Sequence, residues 1–461
     1  MTAWTVCLDF GTAYSKAAAA PADAWAHFQP GMVRPLMLGA HETQGNPFLL
    51  DSAIFVDERN VLFGRAAIKR ADAMAEKKRM ALKSFKTLLS VSDLDRALAT
   101  NAPLSIDPHR IFQMRDLIVL YLAYLLEATA QACAADPEVA AATQIHYRYA
   151  APAWRSGDSA GMHGVIVQLF GEAEAFRALA GEKLLSSDGV AIGAISTALP
   201  KATANARQLE MGLIFEATAA AAYTSVGIDD SGSHMIVVDM GAGTTDIAAL
   251  ARVGSRAVEI PEARVTLKQA GDFIDRVIAN SVLEQAKWAR SREDKADLWN
   301  VLMRQMRDIK ESIFEDGRAT LRHRGKNISL ALRDIERDPD FKIFYKSLSD
   351  AFAHGLTAVR GDAVMRGRSE VQAIAVGGGA AAPFIQTLLK KKTTRTKPRV
   401  VVRPATPDWA HAREFEGNLA PVFPQLAISL GGAIAPDGML AARGSVSPVS
   451  VVQSDIEAER G

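Results

Sequence analysis

The chain alternates short apolar runs, typical of strands, with longer runs whose apolar residues recur every three or four positions, typical of amphipathic helices. The clearest short run lies in residues 234–250, HMIVVDMGAGTTDIAAL. Its apolar pattern ends at Asp239, passes through Gly241-Ala242-Gly243, and resumes at Ile247. Two apolar runs joined by a short turn rich in glycine indicate a tight β-hairpin, which we predict here.

The tip of this predicted hairpin has the composition of a phosphate-binding turn. Glycines leave backbone N–H groups accessible to a phosphate oxygen, and threonine hydroxyls add donors. The residues concerned are Gly241, Ala242, Gly243, Thr244 and Thr245. Asp239 and Asp246 supply carboxylates beside which a partly hydrated magnesium ion could lie next to a polyphosphate. An ordinary hairpin turn without a ligand is the alternative interpretation.

A similar pattern occurs near the N-terminus, in residues 5–18, TVCLDFGTAYSKAA. Superposition of the two segments places Asp9 on Asp239 and Gly11 on Gly241. Two such hairpins, about 230 positions apart, suggest a duplicated architecture in which two lobes present facing phosphate loops.

A third glycine cluster lies in residues 373–383, AIAVGGGAAAP. It follows an apolar strand and precedes the helical pattern FIQTLLKK. A strand, a glycine turn and a helix N-terminus in this order can bind the sugar or phosphate of a nucleotide. A turn with no ligand has the same pattern.

The three segments together resemble the phosphate-1, phosphate-2 and adenosine motifs of the actin, sugar-kinase and heat-shock-chaperone ATPases. Three further segments narrow the resemblance to the DnaK-type heat-shock chaperones: FEATAAAAYTSVGID at 215–229, APAW at 151–154 and AGDFID at 270–275. They are similar, in that order, to the family's helix that joins the lobes, to its hinge segment and to its Gly-Gly-Glu-Asp-Phe-Asp segment. The resemblance covers about the first 435 residues in the family's order.

The resemblance implies an α/β, actin-like ATPase fold, with two duplicated lobes, each a mixed sheet flanked by helices, plus inserted subdomains. The implied boundaries are lobe I at 1–232 with a subdomain at about 40–112, lobe II at 233–438 with a subdomain at about 266–355, and a tail at 439–461. Residues 155–209 are longer than the family's equivalent and are interpreted as an extra insertion. The polar tail is expected to be disordered.

The resemblance also implies nucleotide contacts. They fall on Gly11, Thr12, Ala13, Tyr14, Gly241, Ala242, Gly243, Thr244, Lys310, Phe314, Gly377, Gly378 and Gly379. The implied cofactors are ATP and magnesium, with Asp9 and Asp239 orienting the ion through water. Pro152 matches the hinge proline of the family, although a strand-end proline has the same place.

Four residues are implied to act in catalysis: Lys86, Glu216, Asp239 and Thr244. Lys86, in FKTLLS, matches the lysine that contacts the γ-phosphate and the attacking water. Lys83 is an alternative, and a solvated lysine in a basic run is another. Glu216 would adjoin the water and the hydrated magnesium, but an acidic residue at a helix start can also stabilise the helix dipole.

The base-binding side departs from the family. The segment 304–314, RQMRDIKESIF, is placed like the adenine-contacting helix, and Lys310 matches a family lysine. The departures are Arg307 for a glutamate, Glu311 for an arginine, Phe314 for a serine and Ala381 for a second arginine. Phe314 could stack on a base instead.

Composition excludes several classes of protein. The chain has 461 residues, 49% hydrophobic and 23% charged, as in ordinary globular proteins. Its 53 Lys and Arg against 52 Asp and Glu create no basic field for nucleic acid. Two cysteines, Cys7 and Cys133, form no disulfide framework, which fits a cytoplasmic location. No signal peptide or membrane helix is expected, because the first strand begins at once and the apolar run at 117–126 is short.

The resulting hypothesis is a molecular switch that binds magnesium-ATP, hydrolyses it slowly to ADP and phosphate, and acts through a protein partner. Neither nucleic acid nor a membrane is expected as a partner. Peptide clients are not expected through the family's β-sandwich and helical lid, because only a short tail follows Gly438. The alternatives are an actin-like filament and a nucleotide-binding scaffold without hydrolysis. The helix at 215–229 disfavours a sugar or acetate kinase.

Overall fold

The computed structural model describes residues 3–83, 85, 89, 93–151, 159–226, 233–253, 256–391, 397–440 and 450–451. The strands are β1 (Ala3–Phe10), β2 (Tyr14–Pro21), β3 (Arg34–Pro35), β4 (Leu50–Asp51), β5 (Ile54–Val56), β6 (Asn60–Phe63), β7 (Gln144–Ala151), β8 (Val190–Ala191), β9 (Met211–Phe215), β10 (His234–Met240), β11 (Thr245–Val253), β12 (Arg256–Glu259), β13 (Val265–Leu267), β14 (Arg318–His323), β15 (Lys326–Ala331), β16 (Glu370–Val376), β17 (Arg399–Val402) and β18 (Ser450–Val451).

The α-helices are α1 (Gly64–Ala73), α2 (Leu94–Leu98), α3 (Met114–Ala135), α4 (Pro137–Ala140), α5 (Ser159–Ala180), α6 (Ile192–Asn205), α7 (Glu216–Val226), α8 (Gly271–Gln285), α9 (Arg292–Asp316), α10 (Leu332–Arg337), α11 (Pro339–Met365), α12 (Pro383–Lys391) and α13 (Phe423–Ile434). Short 3₁₀ helices connect several of them.

Two sheets have the same plan. The first has the order β3-β2-β1-β7-β9 and the second the order β17-β16-β10-β11-β13-β18. In each, a hairpin is antiparallel, β1 with β2 and β10 with β11. In each, two later strands then add in parallel beyond the first strand of the hairpin. This repetition confirms the predicted α/β architecture of two duplicated mixed sheets flanked by helices.

The central strands are buried because each has neighbours on both edges and helices on its faces. Every residue of β10 is buried, which explains why its sequence is a continuous apolar run and not an alternating one. In β2 the run Ala17 to Ala20 is fully buried. Its small side chains let α13 pack directly on this strand.

The helices α7 and α13 join the two lobes. They pack along each other in a buried cluster that also contains strand residues from both sheets, such as Cys7 and Val237. Gly431 makes the close approach possible, because a Cβ there would lie 2.6 Å from the carbonyl carbon of Ala219 and 3.0 Å from the amide nitrogen of Tyr223.

The segment 155–209, interpreted from the sequence as an insertion, contributes to two parts of lobe I. Helix α5 packs along α3, and Arg115 on α3 pairs with the buried Glu172 on α5. Strand β8 pairs with β6 and completes a small three-stranded sheet with β5. The segment therefore adds a strand to the sheet of β5 and β6, which lie in the region predicted as a small subdomain.

The apolar run at 117–126 belongs to the longer helix α3. By length and composition α3 could cross a membrane, but 83% of its most apolar window is buried inside the protein. Glu127 lies within this helix and accepts a hydrogen bond of 3.0 Å from Arg177 on α5. Helix α3 has the environment of a core helix.

Near the C-terminus, residues 450–451 form β18, which pairs in parallel with β13. Residues 441–449 and 452–461 lie outside the described part of the chain. Disorder of the tail at 439–461 therefore stays a prediction.

Candidate functional site

The third glycine turn meets the second hairpin at the carboxyl ends of strands β16 and β10 in the lobe II sheet. Strands β10 and β16 are parallel, and Asp239 is in register with Val376, the last residue before the turn. Gly377 has a φ of +83°, and a Cβ there would overlap Oδ1 of Asp239 and lie 2.5 Å from the carbonyl oxygen of Met240. The Gly379 amide donates to that same oxygen at 2.9 Å. Only glycine at position 377 allows this approach.

The first hairpin contains an ion pair that the sequence reasoning missed. Asp9 on β1 faces Lys16 on β2 in the ladder, and Nζ of Lys16 lies 2.5 Å from Oδ2 of Asp9. Asp9 is 1% exposed, and its Oδ1 is buried without a hydrogen-bond partner among the described residues. The available signal was a lysine directly before the buried run of alanines in β2.

The tip of the first hairpin is tightly built. A Cβ on Gly11 would overlap the carbonyl oxygen of Tyr14, so this turn also depends on glycine. The amide of Ser52 donates to the carbonyl oxygen of Ala13 at 3.0 Å, and Tyr14 pairs with Asp51 on β4. Strand β4 therefore holds the tip in place from lobe I.

Asp51, next to this tip, belongs to a cluster of charged residues with Glu42, Arg65 and Lys83. Its pKa is raised to about 6, first by burial and then by the neighbouring charge of Glu42. The charges of Arg65 and Lys83 act in the opposite direction. Lys83 is therefore close enough to interact with the carboxylate beside the first hairpin. Lys86 and Pro152 lie outside the described residues, so their predicted roles stay predictions.

The second hairpin has a closed turn with an open tip. The Gly241 amide donates to the carbonyl oxygen of Thr244 at 3.0 Å. The hydroxyl of Thr244 donates to Asp246 at 2.9 Å, and the hydroxyl of Thr266 donates to the other carboxylate oxygen at 2.5 Å. At Gly243 no heavy atom would lie within 4 Å of an added Cβ. Asp246 therefore fixes the turn, while the tip has space around it.

The start of α8 packs on this second tip. The Gly271 amide donates to the carbonyl oxygen of Gly241 at 3.1 Å, and the Asp272 amide donates to that of Ala242 at 2.8 Å. Lys310 on α9 lies beside the same place, because its Nζ would be 3.5 Å from a Cβ on Gly271. Its ammonium group also pairs with Asp275 on α8 at 2.7 Å.

Helix α9 contacts the first tip as well. The guanidinium carbon of Arg307 lies 4.9 Å from the centre of the Tyr14 ring, within the range of a cation–π contact. Arg307 precedes Lys310 by three positions, so both side chains project from neighbouring places on one helix face. The same helix thus reaches the tips of both hairpins.

Glu216 is the first residue of α7 and is 2% exposed. The charges of Glu216 and Asp9 both act on the thiol of Cys7. Burial is the main cause that raises the pKa of this thiol, and Arg148 opposes the rise. The carboxylates of Asp9 and Glu216 both raise that pKa further. Both acidic groups therefore interact electrostatically with the same buried thiol.

Residues that depart from the family on the base-binding side contact other residues of lobe II. The ring of Phe314 packs edge-on against Phe384 at 5.9 Å and contributes to the lobe II core. Glu311 accepts a hydrogen bond of 2.8 Å from Nε of Arg307, so two of the departing residues bind each other. Stacking of Phe314 on a base stays a prediction.

Binding of a magnesium ion depends on which carboxylates and other ligand side chains lie at the site. Among the residues that the structure describes, no group of three or more His, Cys, Asp or Glu side chains could hold a metal ion. Magnesium, however, commonly keeps several waters and uses one or two carboxylates together with substrate phosphates. The buried Asp9 and Asp239, at equivalent positions of the two hairpins, fit that mode. The unpartnered Oδ1 of Asp9 is a suitable acceptor for such a water.

The fold is a two-lobed α/β architecture in which two duplicated hairpins and a glycine turn carry the candidate phosphate-binding residues. A family model described as Hsp70 protein matches residues 200–407. Actin-like protein MamK of Magnetospirillum gryphiswaldense is 45% identical over 56 residues, 12% of this chain and 14% of that protein. Actin-like protein MamK of Paramagnetospirillum magneticum is 48% identical over 52 residues, 11% of this chain and 14% of that protein.

The matched stretches thus span about one seventh of each curated relative. The family-model match and the two partial matches support membership of the superfamily of actin-like and Hsp70-type ATPases. They confirm the resemblance to that superfamily drawn from the sequence.

Proposed function

We propose that this protein binds magnesium-ATP between its lobes, hydrolyses it slowly to ADP and phosphate, and uses lobe closure as a switch for a protein partner. The observation that carries the proposal is that α9 reaches both hairpin tips. Arg307 contacts Tyr14 of lobe I, and Lys310 lies beside Gly271, which is bonded to Gly241 of lobe II. A ligand that meets one tip therefore lies within reach of the other.

Backbone N–H groups at the two tips would bind the phosphates, because glycine leaves them unshielded. Asp9 and Asp239 would orient the hydrated magnesium, which neutralises phosphate charge when it is bound. Lys16 adds a positive charge beside Asp9 and would balance its carboxylate while the site is being filled. Positioning and charge stabilisation account for most of the catalysis of phosphoryl transfer, so this donor set is sufficient.

Glu216 and Thr244 would align the attacking water, together with a lysine from the small subdomain of lobe I. Glu216 is suited to this role because it is buried and, like Asp9, interacts electrostatically with the thiol of Cys7. For the lysine, Lys83 has support from its charge interaction with Asp51, beside the first hairpin. Lys86 has support from the resemblance alone, so both are to be replaced separately.

The test is phosphate release from magnesium-ATP, with binding of labelled ATP and GTP followed in the same samples. Asp239→Asn should weaken binding, whereas Glu216→Ala should slow turnover and spare binding. Asp350→Asn, at an exposed position of α11, is the matched control and should behave as the wild type. Lys83→Ala and Lys86→Ala are tested separately. Only the variant that lacks the water-aligning lysine should show slower turnover. Turnover unchanged by Glu216→Ala would refute the assignment of the water-aligning residue.

An actin-like filament is a second candidate, favoured by exposed apolar side chains on lobe II. Trp299 and Met303 are 36% and 38% exposed on α9, and Val364 and Met365 are 59% and 80% exposed at the end of α11. Contiguous exposed apolar patches mark protein contacts, and in a filament these side chains would contribute to one. A rise in light scattering that depends on ATP would support a filament, and sedimentation as a monomer at high concentration would oppose it.

A scaffold that binds nucleotide without hydrolysing it is the other alternative, because the base-binding side differs from the family. Tight binding of labelled ATP with no phosphate release would support it. We further propose a cytoplasmic location and a protein partner. The near-balanced charge, +1 overall, gives no support for nucleic acid as that partner.

A further inference from the structure

The contacts that join the lobes differ between the two ends of the molecule. At the closed end, α7 packs along α13, and Arg148 of lobe I donates to the carbonyl oxygen of Gly432 on α13 at 3.0 Å. Asn46 donates to the carbonyl oxygen of Asn418 at 2.6 Å. At the hairpin tips, the described contact between the lobes is the cation–π pair of Arg307 and Tyr14.

We propose that Arg307 and Tyr14 form a latch across the mouth of the cleft, which sets how fast nucleotide enters and leaves. This inference rests on the proposed function for the identity of the ligand, but not for the latch itself. Tyr14 directly follows the turn of the first hairpin, and Arg307 projects from α9 of lobe II. Separation of the lobes at the tips must therefore break this contact.

The geometry fits a contact that forms and breaks repeatedly. Glu311 accepts a hydrogen bond from Nε of Arg307, which restricts the guanidinium plane over the ring. The Arg307 side chain is 49% exposed, so water reaches it when the contact opens. An exposed cation–π pair of this kind slows opening by only about two- to fivefold. The latch can thus delay exchange without blocking it.

When the lobes separate, each residue of the site is expected to stay with one of the two hairpin tips. Lys310 stays with the second tip, because it is paired with Asp275 and adjoins Gly271. Tyr14 stays with the first tip, because its ladder partner Asp51 belongs to β4 of lobe I. Helix α9 therefore moves as part of lobe II, and the Arg307 contact with Tyr14 opens.

A measurement without nucleotide tests the latch directly. Both native cysteines are buried, so spin labels can be attached to Lys77→Cys in lobe I and Asn300→Cys on α9, which are exposed positions. The distance distribution between the labels should be broader and longer in Arg307→Gln than in the wild type. Arg304→Gln removes the same charge from an exposed position of α9 and should leave the distribution unchanged. Identical distributions in Arg307→Gln and the wild type would overturn the latch.

A second measurement is the release of fluorescent ATP in a double-mutant cycle. Arg307→Gln should release nucleotide about two- to fivefold faster than the wild type. In a Tyr14→Leu background the same replacement should have no further effect, since the contact is already absent. Equal acceleration in both backgrounds, or weaker binding without faster release, would show that Arg307 acts elsewhere. If the wild type binds no nucleotide but the label distances respond, the ligand is wrong and the latch stands.

Discussion

Replacing Gly431 with alanine should destabilise the junction between the lobes. Gly431 lies on α13 where this helix crosses α7 most closely. The added Cβ would lie 2.6 Å from the carbonyl carbon of Ala219, closer still to its oxygen, and 3.0 Å from the amide nitrogen of Tyr223. Real Cβ atoms essentially never approach another heavy atom within 3.0 Å, and these neighbours are helix backbone, which cannot rotate away.

The clash can be relieved only if α7 and α13 move apart. Overpacking of this kind costs about 1–3 kcal/mol, to which the packing lost along the crossing is added. Helix propensity acts in the opposite direction, since glycine to alanine inside a helix gains about 0.5–1 kcal/mol. The structure therefore predicts a net loss of about 1–2 kcal/mol in the free energy of unfolding.

Urea denaturation followed by circular dichroism measures this change. Gly361→Ala on α11 is the matched control, because the same replacement in a helix meets no heavy atom within 4 Å there. It should raise the stability by about 0.5–1 kcal/mol. The opposite signs of the two variants are the essential result. A Gly431→Ala protein as stable as the wild type would refute the inference that this crossing depends on the missing side chain.

Three further predictions concern the site. Gly377→Ala should cost about 1–3 kcal/mol and abolish ATP binding, because its φ is +83° and its Cβ would overlap Asp239, whereas Gly378→Ala meets open space and should keep the fold. The pKa of Asp51 is raised from 3.8 to about 6, so its ionisation destabilises the folded state increasingly as the pH rises from about 4 to about 6. Asp51→Asn should therefore raise the free energy of unfolding by up to about 3 kcal/mol at pH 7.5 and by almost nothing at pH 4, as thermal unfolding at both pH values can test. Lys16→Met should cost about 3–5 kcal/mol in urea denaturation, because it leaves the carboxylate of its ion pair buried without compensation, and no loss would mean that the pair is dispensable.

The hairpins could be predicted from the sequence because a hairpin is a local structure. Its strands and turn lie in one short segment, and residues 234–250 contain every signal that fixes it. The equivalence of Asp9 and Asp239 was also visible, because duplication preserves spacing. The ladders place both residues at the same step of the same topology.

Pairings between distant segments could not be predicted in this way. Strand β8 consists of Val190–Ala191, too short to give a periodic signal, and its partner β6 lies about 130 positions earlier. The Lys16 pair was missed for a related reason, since a lysine in a strand usually faces solvent. The contact of the Phe314 ring with Phe384 likewise depends on how α9 and α12 meet, which no local pattern indicates.

The two hairpins have the same backbone topology but different charges at equivalent positions. At the rung where Asp9 faces Lys16, the charges of lobe I cancel; at the equivalent rung of lobe II, Asp239 faces Asp246 and the charges add. Duplication alone would have produced a cleft with twofold symmetry, which a linear polyanion could enter in either direction. The opposite charges of Lys16 and Asp246 at the two equivalent rungs are one feature that removes that symmetry. The cleft thereby acquires a direction, and a bound metal ion would be drawn toward lobe II.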